Sequence, residues 1–97
     1  MKTFEEIRQW VVLNKAALQA NYNIKEVGVF GSYVRQEQTE DSDVDVLVEF
    51  TEVPGLLRFI NLENYLSDNL GVKVDLVHKK GLKPHIGKQV LAEVVYL

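Results

Sequence analysis

Residues 30–50 read FGSYVRQEQTEDSDVDVLVEF. The second half of this stretch alternates with a period of two. Val44, Val46, Val48 and Phe50 fall on one side; Asp43, Asp45, Leu47 and Glu49 fall on the other. That is a strand with one apolar face. Asp41, Asp43 and Asp45 stand at every second position as the chain enters it. Carboxylates on one face repel each other, and a bound cation is the simplest way to offset the repulsion.

Outward from this strand, the chain alternates helix and strand. Residues 3 to about 20 form a helix opened by the capping-box spacing of Thr3 and Glu6, with Phe4, Ile7, Val11 and Leu18 on a stripe that Asn14 interrupts. IKEVGVF, 24–30, is a strand. Gly31 marks a sharp turn into a short helix. Pro54 and Gly71 bracket a helix with Leu56, Phe59, Ile60, Leu66 and Leu70 as its apolar stripe. VKVDLV, 72–77, is a strand with Lys73, Asp75 and Val77 on one face. HKKGLKP is a basic loop, and Pro84 opens a last helix carrying Ile86, Val90, Val94 and Leu97. The expected order is α-β-α-β-α-β-α. Three strands separated by helical segments suggest an α/β or α+β sheet with helices on one face. The connection 31–42 is short for a parallel return, which leaves the first two strands free to pair antiparallel.

The bulk numbers narrow the function. The 97 residues make one domain, 1–97. Apolar residues are 46% and charged residues 26%, as in ordinary globular domains. A net charge of −3 gives no broad basic face for nucleic acid. Without cysteine there is no disulfide and no thiolate metal site. The start of the chain lacks an apolar secretory core, and no apolar run reaches the ~20 residues needed to cross a bilayer. The expected compartment is the cytoplasm, with no membrane attachment.

Three readings of the acids compete. A lone D-x-D is most often a solvated turn. Asp41, Asp43, Asp45 and Glu52 match four positions of a calcium loop, yet Val46 stands where that loop needs glycine, and a strand cannot wrap an ion. The third reading keeps the strand. Asp43 and Asp45 then lie about 6.6 Å apart on one face, and a neighbouring strand runs about 4.8 Å away. If that neighbour is VKVDLV, Asp75 completes a three-carboxylate cluster of hard oxygen donors suited to Mg²⁺ or Mn²⁺. Gly31 allows close backbone approach to a phosphate, and Ser32 adds a hydroxyl donor. Alone, Gly-Ser is only a strand-to-helix turn. About ten residues upstream of D-x-D, it is far more specific.

Together these residues resemble the signature of the minimal nucleotidyltransferases, in the DNA polymerase beta-like superfamily. Gly31-Ser32-x-x-Arg35-x-Glu37 precedes Ser42-Asp43-x-Asp45-Val46-x-Val48, and the resemblance extends over nearly the whole chain, including LKPHIGKQVLAEVVYL at its end. It implies an α+β fold, a small mixed sheet of three to four strands flanked by helices, and transfer of a nucleoside monophosphate from ATP or another NTP, with pyrophosphate released. It implies that Gly31 and Ser32 hold the triphosphate and that Asp43 and Asp45 ligate two Mg²⁺ ions. It also implies that Asp75 completes the metal site and takes the acceptor's proton. By the same resemblance, Arg35 is expected to orient the phosphates or the loop. Many members resemble antitoxins paired with a HEPN-domain toxin, some of which adenylylate a toxin tyrosine. One departure stands out: glycine commonly follows the family arginine, and here it is Gln36.

The expected activity is therefore that of an adenylyltransferase antitoxin. A different class also fits: a binding module that neutralises its partner by contact, with a weak metal site. Retention of Ser32, Asp43, Asp45 and Asp75 favours the enzyme. Nothing in the sequence supplies a template grip for polymerisation, an acceptor pocket for a small molecule, or a base-specific pocket. His78 and His85 read as surface residues, since Mg²⁺ prefers oxygen. Lys79, Lys80 and Lys83 read as a solvated loop or a contact for triphosphate or an acidic partner. Trp10 reads as core. Val95 and Leu97 are free to meet a partner, and a homo-oligomer is compatible with the sequence.

Overall fold

The computed structural model describes residues 2–97. Helix α1, Phe4–Tyr22, begins at a complete capping box. The Glu6 amide donates to Thr3 Oγ1 at 3.2 Å, and the Thr3 amide donates to Glu6 Oε1 at 3.2 Å. Two orphan amides of the first turn are thereby satisfied. Ile7, Val11 and Leu18 are buried. Asn14, which breaks their stripe, turns its side-chain amide back to the Trp10 carbonyl at 2.8 Å.

Strand β1, Ile24–Phe30, leads through Gly31 into the single-turn helix α2, Ser32–Arg35. Strand β2 is Val44–Phe50, helix α3 is Leu56–Leu70 and strand β3 is Val74–His78. A 3₁₀ turn at Lys79–Gly81 precedes helix α4, Pro84–Glu93, and strand β4, Val95–Tyr96. The sheet runs in the order β3-β2-β1-β4. The short α2 connection leaves β1 and β2 antiparallel, whereas the α3 crossover is long enough to return β3 parallel to β2.

The apolar side of the sheet carries Val27, Val29, Val44, Val46, Val48 and Leu76, packed with Ile7, Val11, Leu62 and Leu66. Phe4, Trp10, Val34 and Phe59 close its margins. The alternation of β2 is realised except at Leu47, which is buried on the opposite face, and Trp10, partly buried, packs against the core. No helix among the described residues is long and apolar enough to cross a membrane.

Several local expectations are corrected. The last helix stops at Glu93, and Val94 is already extended. Val95 and Tyr96 pair with Val29 and Gly28 of β1, adding a strand where the sequence suggested a continuing helix. β-Branched and aromatic residues suit that pleated edge. The stripe of α3 is also rotated. Leu56 and Ile60 are exposed, and Leu62, fully buried, takes the central place with Leu66 and Leu70. Ile86 on α4 is exposed as well.

Candidate active site

The site forms where β1 ends against the start of β2. Phe30 is the register partner of Asp45, so Gly31 turns away directly beside the Asp45 carboxylate. A Cβ on Gly31 would lie 2.1 Å from Asp45 Oδ2. The Gly31 backbone, with φ 81 and ψ −154, occupies a region open essentially to glycine alone. Two independent constraints therefore demand glycine here. Ser32, half-buried, is the first residue of α2.

β3 brings in the third acid. Asp45 and Asp75 are direct partners in the parallel register, flanked by Val44 with Val74 and Val46 with Leu76. Asp75 is exposed, whereas Asp45 is half-buried. The Asp45 carboxyl is pushed up to about 6 from the usual 3.8, first by burial and then by the charges of Asp75, Asp43 and Glu93. Arg35 opposes that shift only weakly. Asp43 lies one residue before β2. Lys73 Nζ stands 3.9 Å from its Oδ2, in a pair of exposed side chains that binds weakly. Tyr33 is buried nearby, and burial followed by the Asp43 charge raises its phenol.

Three aspartates offer only hard oxygen donors, the set that Mg²⁺ or Mn²⁺ favours. As the side chains lie, no three His, Cys, Asp or Glu groups among the described residues stand together as a finished metal cage. Asp43 is drawn towards Lys73 and Asp75 faces solvent. The donor set fits a divalent cation all the same. Burial, and then the charges of the neighbouring carboxylates, raises the proton affinity of Asp45; a bound cation would relieve the charge repulsion as a proton does.

Arg35 sits on the loop side of the site. Its Nε donates to Glu37 Oε1 at 2.8 Å, and its Nη1 donates to Glu93 Oε1. Glu93 was not singled out in the sequence: it falls within LKPHIGKQVLAEVVYL, which resembles the family's terminal helix without marking any carboxylate in it. Its Oε2 accepts the Gly31 amide at 3.0 Å. Gln36 ends α2 in the left-handed region, φ 60, the position where the family pattern places glycine. Its amide caps the turn on the Ser32 and Tyr33 carbonyls.

The histidines and lysines stand apart. His85 is exposed as expected, but His78 packs edge-on against Phe50 with centroids 5.2 Å apart, and its Nε2 is buried without a partner. Lys79 pairs with Glu26 at 3.6 Å and lies over the Tyr96 ring. Two surface clefts, of about 280 and 350 Å³, open beside Tyr33 and beside Trp10; neither is lined by Asp43, Asp45 or Asp75.

The nucleotidyltransferase domain model matches residues 13–97. The chain belongs to the nucleotidyltransferase family. A protein adenylyltransferase MntA from Thermococcus cleftensis is 55% identical over 97 residues, covering 100% of this chain and 98% of its own. A solved structure named for a minimal nucleotidyltransferase is 40% identical, with a TM-score of 0.76, covering 94% of this chain and 95% of its own. The fold recurs, at 19% identity and a TM-score of 0.67, in a Shewanella oneidensis complex of a tri-AMPylated HEPN toxin with its MNT antitoxin, over 94% of this chain and 67% of that one. This nucleotidyltransferase thus shares its mixed sheet and flanking helices with the minimal members of the family.

Proposed function

We propose that the chain is a divalent-metal-dependent protein adenylyltransferase that moves AMP from ATP onto a tyrosine of a cognate HEPN-domain toxin, and acts as its antitoxin. The observation that carries this reading is the register pairing of Asp45 with Asp75 beside the Gly31 turn. Similarity along the full chain to a protein adenylyltransferase supports AMP as the group moved and a protein as the acceptor. The fold's recurrence in an antitoxin bound to an AMPylated HEPN toxin supports the partner.

In this reading Asp43, Asp45 and Asp75 hold two Mg²⁺ ions, or Mn²⁺ in their place. Bound there, such ions neutralise charge on the triphosphate and on the departing pyrophosphate. The Gly31–Ser32 turn seats the triphosphate, with the Ser32 hydroxyl donating to a phosphate oxygen. Arg35 holds the loop that carries them. Asp75, exposed at the rim, accepts the proton of the incoming tyrosine hydroxyl. A bond forms from that oxygen to the α-phosphorus, and the α-phosphorus bond to pyrophosphate breaks. The exposure of Asp75 suits an acceptor delivered on the surface of another protein.

The test uses α-labelled ATP, Mg²⁺, the purified chain and host lysate, with Asp45→Asn as control. Label on one protein band with the wild-type chain alone is the expected result. No transfer from any of the four NTPs, with a partner still captured, replaces the enzyme by a module that neutralises through contact.

A further inference from the structure

We infer that Glu93 is the positioning residue of the phosphate turn: its carboxylate holds Gly31 by the backbone amide and Arg35 by the guanidinium, and so fixes where the Ser32 hydroxyl stands. This rests on the reading of Gly31 and Ser32 as the triphosphate seat.

Glycine can adopt many backbone conformations, so Gly31 needs an external restraint to keep φ 81 and ψ −154. The bond from its amide to Glu93 Oε2, at 3.0 Å, supplies one. The second oxygen of the same carboxylate takes Arg35 Nη1, three residues beyond Ser32. The two contacts bracket α2, and together they hold Glu93 ionised, the Arg35 bond contributing most.

Glu93 is itself fixed from both sides. It ends α4, and β4 begins two residues later on β1. The Leu97 amide donates to the Val27 carbonyl at 2.9 Å, and a Cβ on Gly28 would come within 2.6 Å of Val94 Cγ2. The carboxylate is therefore delivered to the turn by strand pairing across β1. A second consequence concerns Arg35. With Glu37 and Glu93 both on its guanidinium, Arg35 is tied to the loop through Nε and Nη1.

The experiment compares wild type with Glu93→Ala and Glu93→Gln by amide hydrogen exchange and by titration with Mg²⁺-ATP, with Val46 and Leu76 amides reporting an intact sheet. In Glu93→Ala the Gly31 amide exchanges about tenfold faster and ATP binds about tenfold more weakly, the size expected for losing a bond to a charged group. Glu93→Gln keeps an acceptor for Gly31 and falls between. Unchanged Gly31 exchange in Glu93→Ala overturns the inference. So does faster exchange with unchanged ATP affinity. Tighter ATP binding also overturns it, because Glu93 would then be competing with phosphate for the turn. A wild-type chain that binds no ATP defeats the transferase reading, and the exchange rates alone then decide whether Glu93 holds Gly31.

Discussion

Asp45 and Asp75 face each other directly across the parallel β2–β3 pair, one half-buried and one exposed. The two carboxylates therefore differ in solvation while sharing one location. Asp45 is the one that resists ionising.

That asymmetry predicts a stability change with pH. The folded pKa of Asp45, about 6, exceeds its ordinary 3.8, so the folded state binds this proton more tightly than the unfolded state does. The contribution is favourable at low pH and is lost as pH rises through the folded pKa. Asp45→Asn removes the penalty. In chelator, the Asn variant should be more stable than wild type at about pH 7 by roughly 1–2 kcal/mol, less than the full shift implies because solvent screens the half-buried carboxyl, and the gap should close towards about pH 4. Paired urea melts measure it. An Asn variant that is less stable at neutral pH would contradict the crowding.

A divalent cation should reverse the penalty. At about 100 times its Kd, Mg²⁺ or Mn²⁺ should stabilise the wild-type chain by about 2.7 kcal/mol. Asp45→Asn should lose most of that gain. Mn²⁺ should broaden amide signals at residues 43–45 and 75 before any others. Broadening centred on Glu37 or Glu40 would move the site elsewhere.

Gly31→Ala should fail twice. The backbone there costs a non-glycine residue about 1–3 kcal/mol. The new methyl also meets Asp45 Oδ2 and must displace it. The expected result is a lowered urea midpoint together with loss of nucleotidyl transfer. Wild-type transfer by Gly31→Ala would show that the turn is more pliable than its geometry indicates.

Gln36→Gly should move stability the other way. Gln36 holds φ 60, a conformation that costs a side chain about 1–2 kcal/mol and glycine almost nothing. Glycine's greater freedom in the unfolded chain offsets part of this, leaving a gain of about 0.5–1 kcal/mol. A fall in the urea midpoint would mean that the Gln36 side chain makes a stabilising contact worth more than the strain.

The strand bearing the acids was legible because its alternation from Asp43 to Phe50 is broken only at Leu47. Asp75 was legible as the one acid in the next alternating run, and the short 31–42 connection made antiparallel pairing of the first two strands readable. The departure at Gln36 was readable too, and its positive φ now gives it a physical meaning. β4 was hidden because Ile86, Val90, Val94 and Leu97 also satisfy helical spacing; only pairing with β1 decides for a strand. α3 offered two overlapping apolar stripes, and tertiary packing chose the one through Leu62. Glu93 could not be read at all, since its partner Gly31 lies 62 residues away and no local pattern joins them.

That separation has a kinetic side. Contacts between distant parts of a chain form late, after the entropy of closing the intervening loop has been overcome. A growing chain released from the ribosome only as far as α3 and β3 already carries Asp43, Asp45 and Asp75, but not the carboxylate that grips Gly31. Because Glu93 lies 62 residues beyond Gly31, the bond between them can form only after the C-terminal segment has been synthesised and has docked on β1.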